Sequence, residues 1–257
     1  MTIFLLALFL ATLSVLALAR WHPAAIEPFP TGSRRALALA LLTLTLALAC
    51  FAPLLEYPDT DPNMEIPDLP FGALFLGHGL LASFLLLWWI LAGRPPLREY
   101  LHLNFGDLRD SLRLGAAAGA AGWAVTMTTM AVVGTLAVTL EPGSLPQDGD
   151  IPSTVRIIVE LAWYERLLLV LSAGIVEEAF FRSFLQTRCG LILSSVLFTT
   201  SHMSYGLPLM LVGVFAVSVV FGLVFRARRD VLPCMVAHSV FDGIQLFLIL
   251  PAVVAGS

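Results

Sequence analysis

The sequence predicts an all-α protein, a polytopic membrane bundle of about eight transmembrane helices. Of its 257 residues, 58% are hydrophobic and only 12% are charged, whereas a soluble domain carries about 25% charged residues. The apolar residues also fall in long runs, and about 20 such residues span a bilayer as a helix. Composition and run length together predict that the chain lies within a membrane.

Eight apolar runs can be drawn, and each is predicted to form one span. The first, Thr2 to Ala19, is followed rather than preceded by arginine, so it is interpreted as a transmembrane helix and not as a signal peptide. The runs cover residues 2–19, 36–55, 71–93, 114–139, 163–187, 190–205, 207–225 and 231–253.

The connections between the runs alternate in charge. Residues 56–70 and 141–156 are mainly acidic, whereas the basic side chains, all arginine, cluster in the other connections. Because basic connections stay in the cytoplasm, both termini are predicted to lie outside it. The lysine-free, alanine- and leucine-rich composition is typical of a bacterial inner-membrane protein. The arginines lie in short clusters between the apolar runs, which indicates topology signals rather than a nucleic-acid surface, so no nucleic-acid partner is expected.

The chain is predicted to be one unit with two parts. Residues 1–150 hold N-terminal transmembrane helices without a recognised motif, and residues 151–257 hold the functional helices. Between the third and fourth runs, leucines and charges in residues 98–113 recur at helical spacing. This pattern predicts an interfacial amphipathic helix, with a plain connector as the alternative.

Ionisable residues inside the apolar runs are concentrated in three places. Each costs about 2.5–3.5 kcal/mol on insertion scales, so each needs a reason. The third run holds only His78, for which a helix–helix hydrogen bond is the favoured interpretation. The fifth, sixth and eighth runs hold Glu177, Glu178, Arg182, His202, His238 and Asp242 in three short motifs.

Helical spacing separates the two adjacent glutamates. Glu178 and Arg182 are four residues apart, the spacing of an ion pair, whereas Glu177 projects about 100° away and has no local partner. Arg182 is therefore expected to orient Glu178. Counted from the arginine or turn at each helix end, Glu177, His202 and His238 lie roughly 14–18 Å deep at 1.5 Å per residue. A single buried site near the middle of the bilayer is predicted.

Three motifs occur in order within these runs, namely Glu177-Glu178…Arg182, Phe198…His202 and His238…Asp242. They resemble the motifs of the CPBP family, which includes CAAX prenyl endopeptidases and bacteriocin-processing or immunity proteins. The resemblance covers roughly residues 160–250. It implies an intramembrane endopeptidase in which Glu177 and His202 activate a water molecule, while His238 and residue 242 stabilise the oxyanion.

The aspartate at position 242 changes one of these implied roles. An asparagine donates its amide to an oxyanion, but an ionised aspartate only accepts hydrogen bonds. Asp242 is therefore expected either to orient His238 or to help hold a metal ion. Two histidines and a glutamate are a recognised zinc set. The spacing does not require an ion, so zinc stays an open cofactor.

The expected partners are membrane lipid and a peptide or protein substrate, which the resemblance allows to be lipidated. Two other functions compete with peptide hydrolysis. A non-catalytic immunity or scaffold protein would keep the buried site for folding or partner contact. A proton- or ion-coupled transporter would use the same acids and histidines, although the sequence shows no inverted repeat.

Overall fold

The computed structural model describes residues 2–21, 29–55, 71–141, 153–203 and 208–256. Its regular elements within these ranges are all helices, which confirms the predicted all-α class. The helices are α1 (Thr2–Trp21), α2 (Gly32–Leu46), α3 (Leu76–Leu91), α4 (Leu97–Tyr100), α5 (Leu108–Leu140), α6 (Ser153–Glu160), α7 (Trp163–Glu178), α8 (Thr187–Thr200), α9 (Pro208–Arg228) and α10 (Leu232–Ile244).

Several helices continue beyond their regular α-helical part. A short 3₁₀ turn, Phe71–Phe75, leads into α3. π-helical segments follow α2, α7 and α10, at Ala47–Phe51, Ala179–Gln186 and Gln245–Ile249. The first and last of these lead into short α-helical ends, Ala52–Leu55 and Leu250–Gly256. Within α8, Gly190 has a φ of 81°, a backbone conformation that glycine adopts without strain, and the helix is kinked there.

Six helical stretches within the described ranges are long and apolar enough to cross a membrane. They correspond to the first four and the last two predicted runs. The fifth run is interrupted by charged residues around Glu177, and the sixth forms a helix of only 14 residues, so the count of eight stays a prediction. Residues 56–70 and 142–152, which form most of the acidic connections, lie outside the described residues, and the orientation of the termini also stays a prediction.

The predicted interfacial helix over residues 98–113 is interrupted in the structure. The backbone leaves the helical region at His102, which has a φ of 51°. A new helix, α5, begins only after Asp107, whose carboxylate accepts a hydrogen bond from the backbone N–H of Asp110 at 3.1 Å. The interruption allows the carbonyl of His102 to accept from the N–H of Val231 at 2.9 Å. A tertiary contact has therefore overridden the local amphipathic pattern.

Glycines on α5 allow α10 to pack at backbone distance. A Cβ atom at Gly119 would lie 2.5 Å from the carbonyl oxygen of Ala237, and one at Gly115 would lie 2.7 Å from that of Pro233. Small residues at such positions let membrane helices approach closely. This close packing sets the position of α10, which carries His238.

An aromatic cluster holds α3 against the π-helical segment that follows α7. The Phe84 ring lies 5.3 Å from Phe180 and 4.8 Å from Phe184, and the Trp88 ring also lies 4.8 Å from Phe184. All four side chains are fully or almost fully buried. Edge-to-face pairs of this kind add to the stabilisation from burial. The cluster places α3 beside the stretch that carries both glutamates.

Candidate active site

The two adjacent glutamates end α7, directly before the π-helical segment Ala179–Gln186. Every residue of that segment is buried, and Arg182 lies within it. π-Helical turns are rare and often occur at functional sites, because the extra residue redirects the side chains that follow. Arg182 lies within this segment and contacts Glu178, four residues before it.

Glu178 lies in a cluster in which both of its carboxylate oxygens are occupied. Oε2 accepts a hydrogen bond from Nε of Arg182 at 2.9 Å, and Oε1 lies 2.9 Å from Nδ1 of His238. Arg182 also donates from Nη2 to Oγ of Ser218 at 3.0 Å. Glu178 and Arg182 are both fully buried. The structure thus places Arg182 beside Glu178, as their spacing suggests, and adds His238 as a second partner.

His238 lies between two carboxylates. Its Nδ1 contacts Glu178, and its Nε2 lies 3.4 Å from Oδ2 of Asp242, one helical turn further along α10. Ionised carboxylates only accept hydrogen bonds, so both ring nitrogens face acceptors. Asp242 is thus a partner of the imidazole. As an ionised carboxylate, Asp242 has no hydrogen atom to donate to an oxyanion.

Glu177 belongs to a second cluster, about 100° around the helix from Glu178. Its Oε1 lies 3.2 Å from Nε2 of His78. Its Oε2 lies 3.8 Å from Nε2 of His202, which is longer than a hydrogen bond. Oε2 is buried but accepts no hydrogen bond from any residue that the structure describes. One oxygen of Glu177 is therefore held, and the other faces His202.

The orientation of His202 is set within its own motif. Nδ1 lies 2.7 Å from the carbonyl oxygen of Phe198, and since a carbonyl only accepts, Nδ1 carries the proton. The imidazole also packs on the Phe198 ring, with 4.5 Å between ring centroids. The Phe198 ring in turn lies 5.3 Å from the Arg182 guanidinium and 5.9 Å from the His238 ring. Phe198 therefore joins the two clusters, and Nε2 of His202 is directed to Glu177.

The site has one member that sequence reasoning did not assign to it. His78 makes a helix–helix hydrogen bond, as interpreted, but its partner is Glu177, 99 residues further along the chain. His78 and His202 thus lie on either side of the Glu177 carboxylate, 3.2 Å and 3.8 Å from its two oxygens. The sequence signal that could have assigned His78 to the site is that an ionisable side chain is costly in an otherwise apolar run. Nothing in the sequence named its partner.

The predicted zinc ligands do not form one set in this arrangement. If the two histidines were His202 and His238, zinc binding would require His238 to share an ion with Glu177 and His202. Instead, Nδ1 of His238 is bound to Glu178 and Nε2 faces Asp242. Among the described residues, no group of three or more His, Cys, Asp or Glu side chains is placed to hold a metal ion. A role for zinc stays a prediction.

The fold and the site define a polytopic helical membrane protein with glutamates and histidines clustered between its helices. Residues 159–244, which include all six site residues predicted from the sequence, match the family model described as type II CAAX prenyl endopeptidase Rce1-like. The predicted resemblance to the CPBP family of intramembrane proteases is confirmed by this match, which indicates a CAAX-type protease. No curated protein and no solved structure matches the chain.

Proposed function

We propose that the chain is an intramembrane endopeptidase that hydrolyses a peptide bond in a membrane-associated or lipidated peptide or protein. The reaction uses a water molecule activated by Glu177 and His202. The observation that carries this proposal is the 3.8 Å separation between Oε2 of Glu177 and Nε2 of His202. Both atoms are hydrogen-bond acceptors when the carboxylate is ionised and the imidazole is neutral with Nδ1 protonated. They therefore do not satisfy each other.

A water molecule between these two acceptors donates to both of them. Its two O–H groups donate to Oε2 of Glu177 and Nε2 of His202, which leaves an oxygen lone pair directed away from them. As this oxygen attacks the peptide carbonyl carbon, Glu177 takes the proton that the water loses. Protonated Glu177 then delivers this proton to the amide nitrogen, the C–N bond breaks, and the products are a carboxylic acid and an amine. General acid–base catalysis of this kind typically contributes 10²- to 10⁴-fold.

The second cluster supplies the charge that the developing oxyanion needs. The Phe198 ring packs against both imidazoles, so a single side chain lies between His238 and His202. Carboxylates lie at both ring nitrogens of His238. When the imidazole carries a proton on each nitrogen, its fixed positive charge stabilises a nascent oxyanion in a dry site. Asp242 orients this imidazole. We therefore assign the oxyanion interaction to His238 and the positioning of His238 to Glu178 and Asp242.

The family match does not favour the non-catalytic alternative. A role limited to scaffolding also does not explain why the buried Oε2 of Glu177 accepts no hydrogen bond from the described residues. A buried acceptor without a partner costs about 1–3 kcal/mol, whereas the neighbouring Glu178 shows that this helix can satisfy a buried carboxylate completely. The open oxygen is explained when it binds the water that reacts.

The test is cleavage by the purified protein in lipid nanodiscs. The probes are a fluorogenic peptide that ends in a prenylated Cys-aliphatic-aliphatic-X sequence, its unprenylated counterpart, and an unmodified transmembrane peptide. Glu177→Gln is expected to lower kcat about 100- to 10,000-fold on whichever probe the wild type cleaves. Glu160→Gln, the same change at an exposed residue of α6, is the matched control and is expected to retain the wild-type rate. Wild-type cleavage by Glu177→Gln would refute the proposal.

A further inference from the structure

His78 lies in the part of the chain that holds no family motif, yet it contacts the candidate general base. It belongs to α3, outside residues 159–244. Its Nε2 lies 3.2 Å from Oε1 of Glu177, and its Nδ1 lies 3.0 Å from Oγ of Ser172. Both partners are on α7, five residues apart. One imidazole therefore bridges about a turn and a half of the helix that carries Glu177.

Ser172 fixes the direction of the imidazole. Its hydroxyl lies 3.0 Å from both Nδ1 of His78 and the carbonyl oxygen of Leu169. Because Nε2 donates to the Glu177 carboxylate, Nδ1 of the neutral ring is an acceptor, and the Ser172 hydroxyl donates to it. The ring of Phe75 packs against the imidazole edge to face, with 6.1 Å between centroids. Ser172 holds Nδ1 of His78, and Phe75 packs against its ring. These two contacts direct Nε2 towards Glu177.

The contact determines which carboxylate oxygen of Glu177 is available. The terminal torsion of a glutamate is broad and roughly two-fold, so an unconstrained carboxylate rotates easily. Oε1 bound to His78 stops that rotation and leaves Oε2 facing His202 at 3.8 Å. Because Oε2 has no other partner among the described residues, His78 is the side chain that sets the direction of this carboxylate.

We propose that His78 is a positioning residue of the active site, which holds the Glu177 carboxylate in the orientation that activates water with His202. The inference rests on the proposed function, since Glu177 must be the general base for its orientation to affect the rate. It extends the site beyond the matched domain. A complete site then needs α3 as well as the helices of residues 159–244.

The experiment compares His78→Leu with His78→Gln. Leucine fills space but makes no hydrogen bond, whereas the glutamine amide reaches the position of Nε2 and donates to Oε1. A loss of alignment at a reacting group costs up to about 100-fold. We therefore expect His78→Leu to lower kcat about 10- to 100-fold with KM nearly unchanged, and His78→Gln to recover most of that loss. His102→Gln, the same change at a histidine that contacts Ser183 instead, is the control and keeps wild-type kcat.

A second readout does not depend on substrate. The infrared difference between wild type and Glu177→Gln identifies the carboxylate band of Glu177. That band is expected to shift in His78→Leu, because its oxygen loses a hydrogen bond, and to stay in His102→Gln. Size-exclusion chromatography and thermal unfolding in detergent check that each variant is folded.

The outcomes separate this inference from the proposed function. Wild-type kcat in His78→Leu beside an inactive Glu177→Gln would overturn the role of His78 and leave the proposed function standing. Equal losses in His78→Leu and His78→Gln with an unshifted band would mean that His78 only fills space, which also overturns it. An active Glu177→Gln would overturn both.

Discussion

The two glutamates of the site are neighbours in sequence, but their environments differ. Glu178 is fully buried, and both of its oxygens are bound, by Arg182 and His238. The side chain of Glu177 is 12% exposed, and within the described part of the chain only its Oε1 makes a hydrogen bond. A carboxylate with all of its partners stabilises and orients, whereas one with an open oxygen can exchange a proton. The supporting cluster therefore contains the glutamate whose two oxygens both have partners, and the reacting cluster contains the glutamate with one oxygen available.

The largest expected effects come from making the same glutamate-to-glutamine substitution at each of the two positions. Glu177→Gln should remove activity and leave stability nearly unchanged, because only one hydrogen bond is altered. Glu178→Gln leaves the Arg182 cation buried without its carboxylate, and breaking a buried pair costs about 3–5 kcal/mol. Thermal or denaturant unfolding in detergent, measured beside kcat, checks this. Equal losses of stability in both variants would remove the distinction between the clusters.

Removal of both members of the buried pair should be less harmful than removal of one. Arg182→Met alone leaves Glu178 as an uncompensated buried charge, with a loss of about 3–5 kcal/mol. The double variant with Glu178→Gln buries no charge of the pair, so its loss should be smaller than the sum of the single losses. A double-mutant cycle of unfolding free energies measures the difference. Additive losses would show that Arg182 and Glu178 act independently.

Asp242 allows a smaller test of the supporting cluster. In Asp242→Asn, the amide oxygen still accepts from His238, so activity should stay within about 10-fold of wild type. In Asp242→Leu, His238 loses this partner, and a loss of about 10- to 100-fold in kcat is expected, as for other partners that orient a catalytic imidazole. The kcat ratio of the two variants is the measurement. A leucine variant as active as the asparagine variant would mean that Asp242 does not orient His238.

The smallest effects concern the helices on which the two clusters are built. Gly119→Ala places a Cβ atom 2.5 Å from a backbone oxygen of α10, whereas Gly79→Ala on α3 meets no atom within 4 Å. Overpacking costs about 1–3 kcal/mol, and glycine to alanine in an open helical position gains about 0.5–1 kcal/mol. The melting temperature should therefore fall in the first variant and rise slightly in the second. Equal melting temperatures would contradict the close packing of α5 on α10.

The pairs within one helix were predictable from the sequence. Glu178 with Arg182, Phe198 with His202 and His238 with Asp242 are each four residues apart, and helical geometry brings such residues to one face. The structure contains all three contacts. The all-α class follows in the same way from apolar runs of bilayer length. These inferences succeed because both ends of each contact lie within one turn of helix.

Contacts between helices were beyond sequence reasoning. Nothing local indicates that Oε1 of Glu177 binds His78, that Oε2 remains open, or that Nδ1 of His238 binds Glu178. The interruption of the predicted helix at His102 likewise depends on Val231, which lies far along the chain.

The sequence by itself therefore determined the membrane class, the motifs and the pairs along each helix. The tertiary structure decided which glutamate is saturated, which is left with an open oxygen, and that α3 takes part in the site. The physical reason is the separation along the chain of the residues that make each contact. Helical periodicity sets neighbours within a turn, whereas the partners across helices depend on how closely whole helices pack, as Gly119 allows on α5 and the aromatic cluster of Phe84 and Phe184 allows on α3.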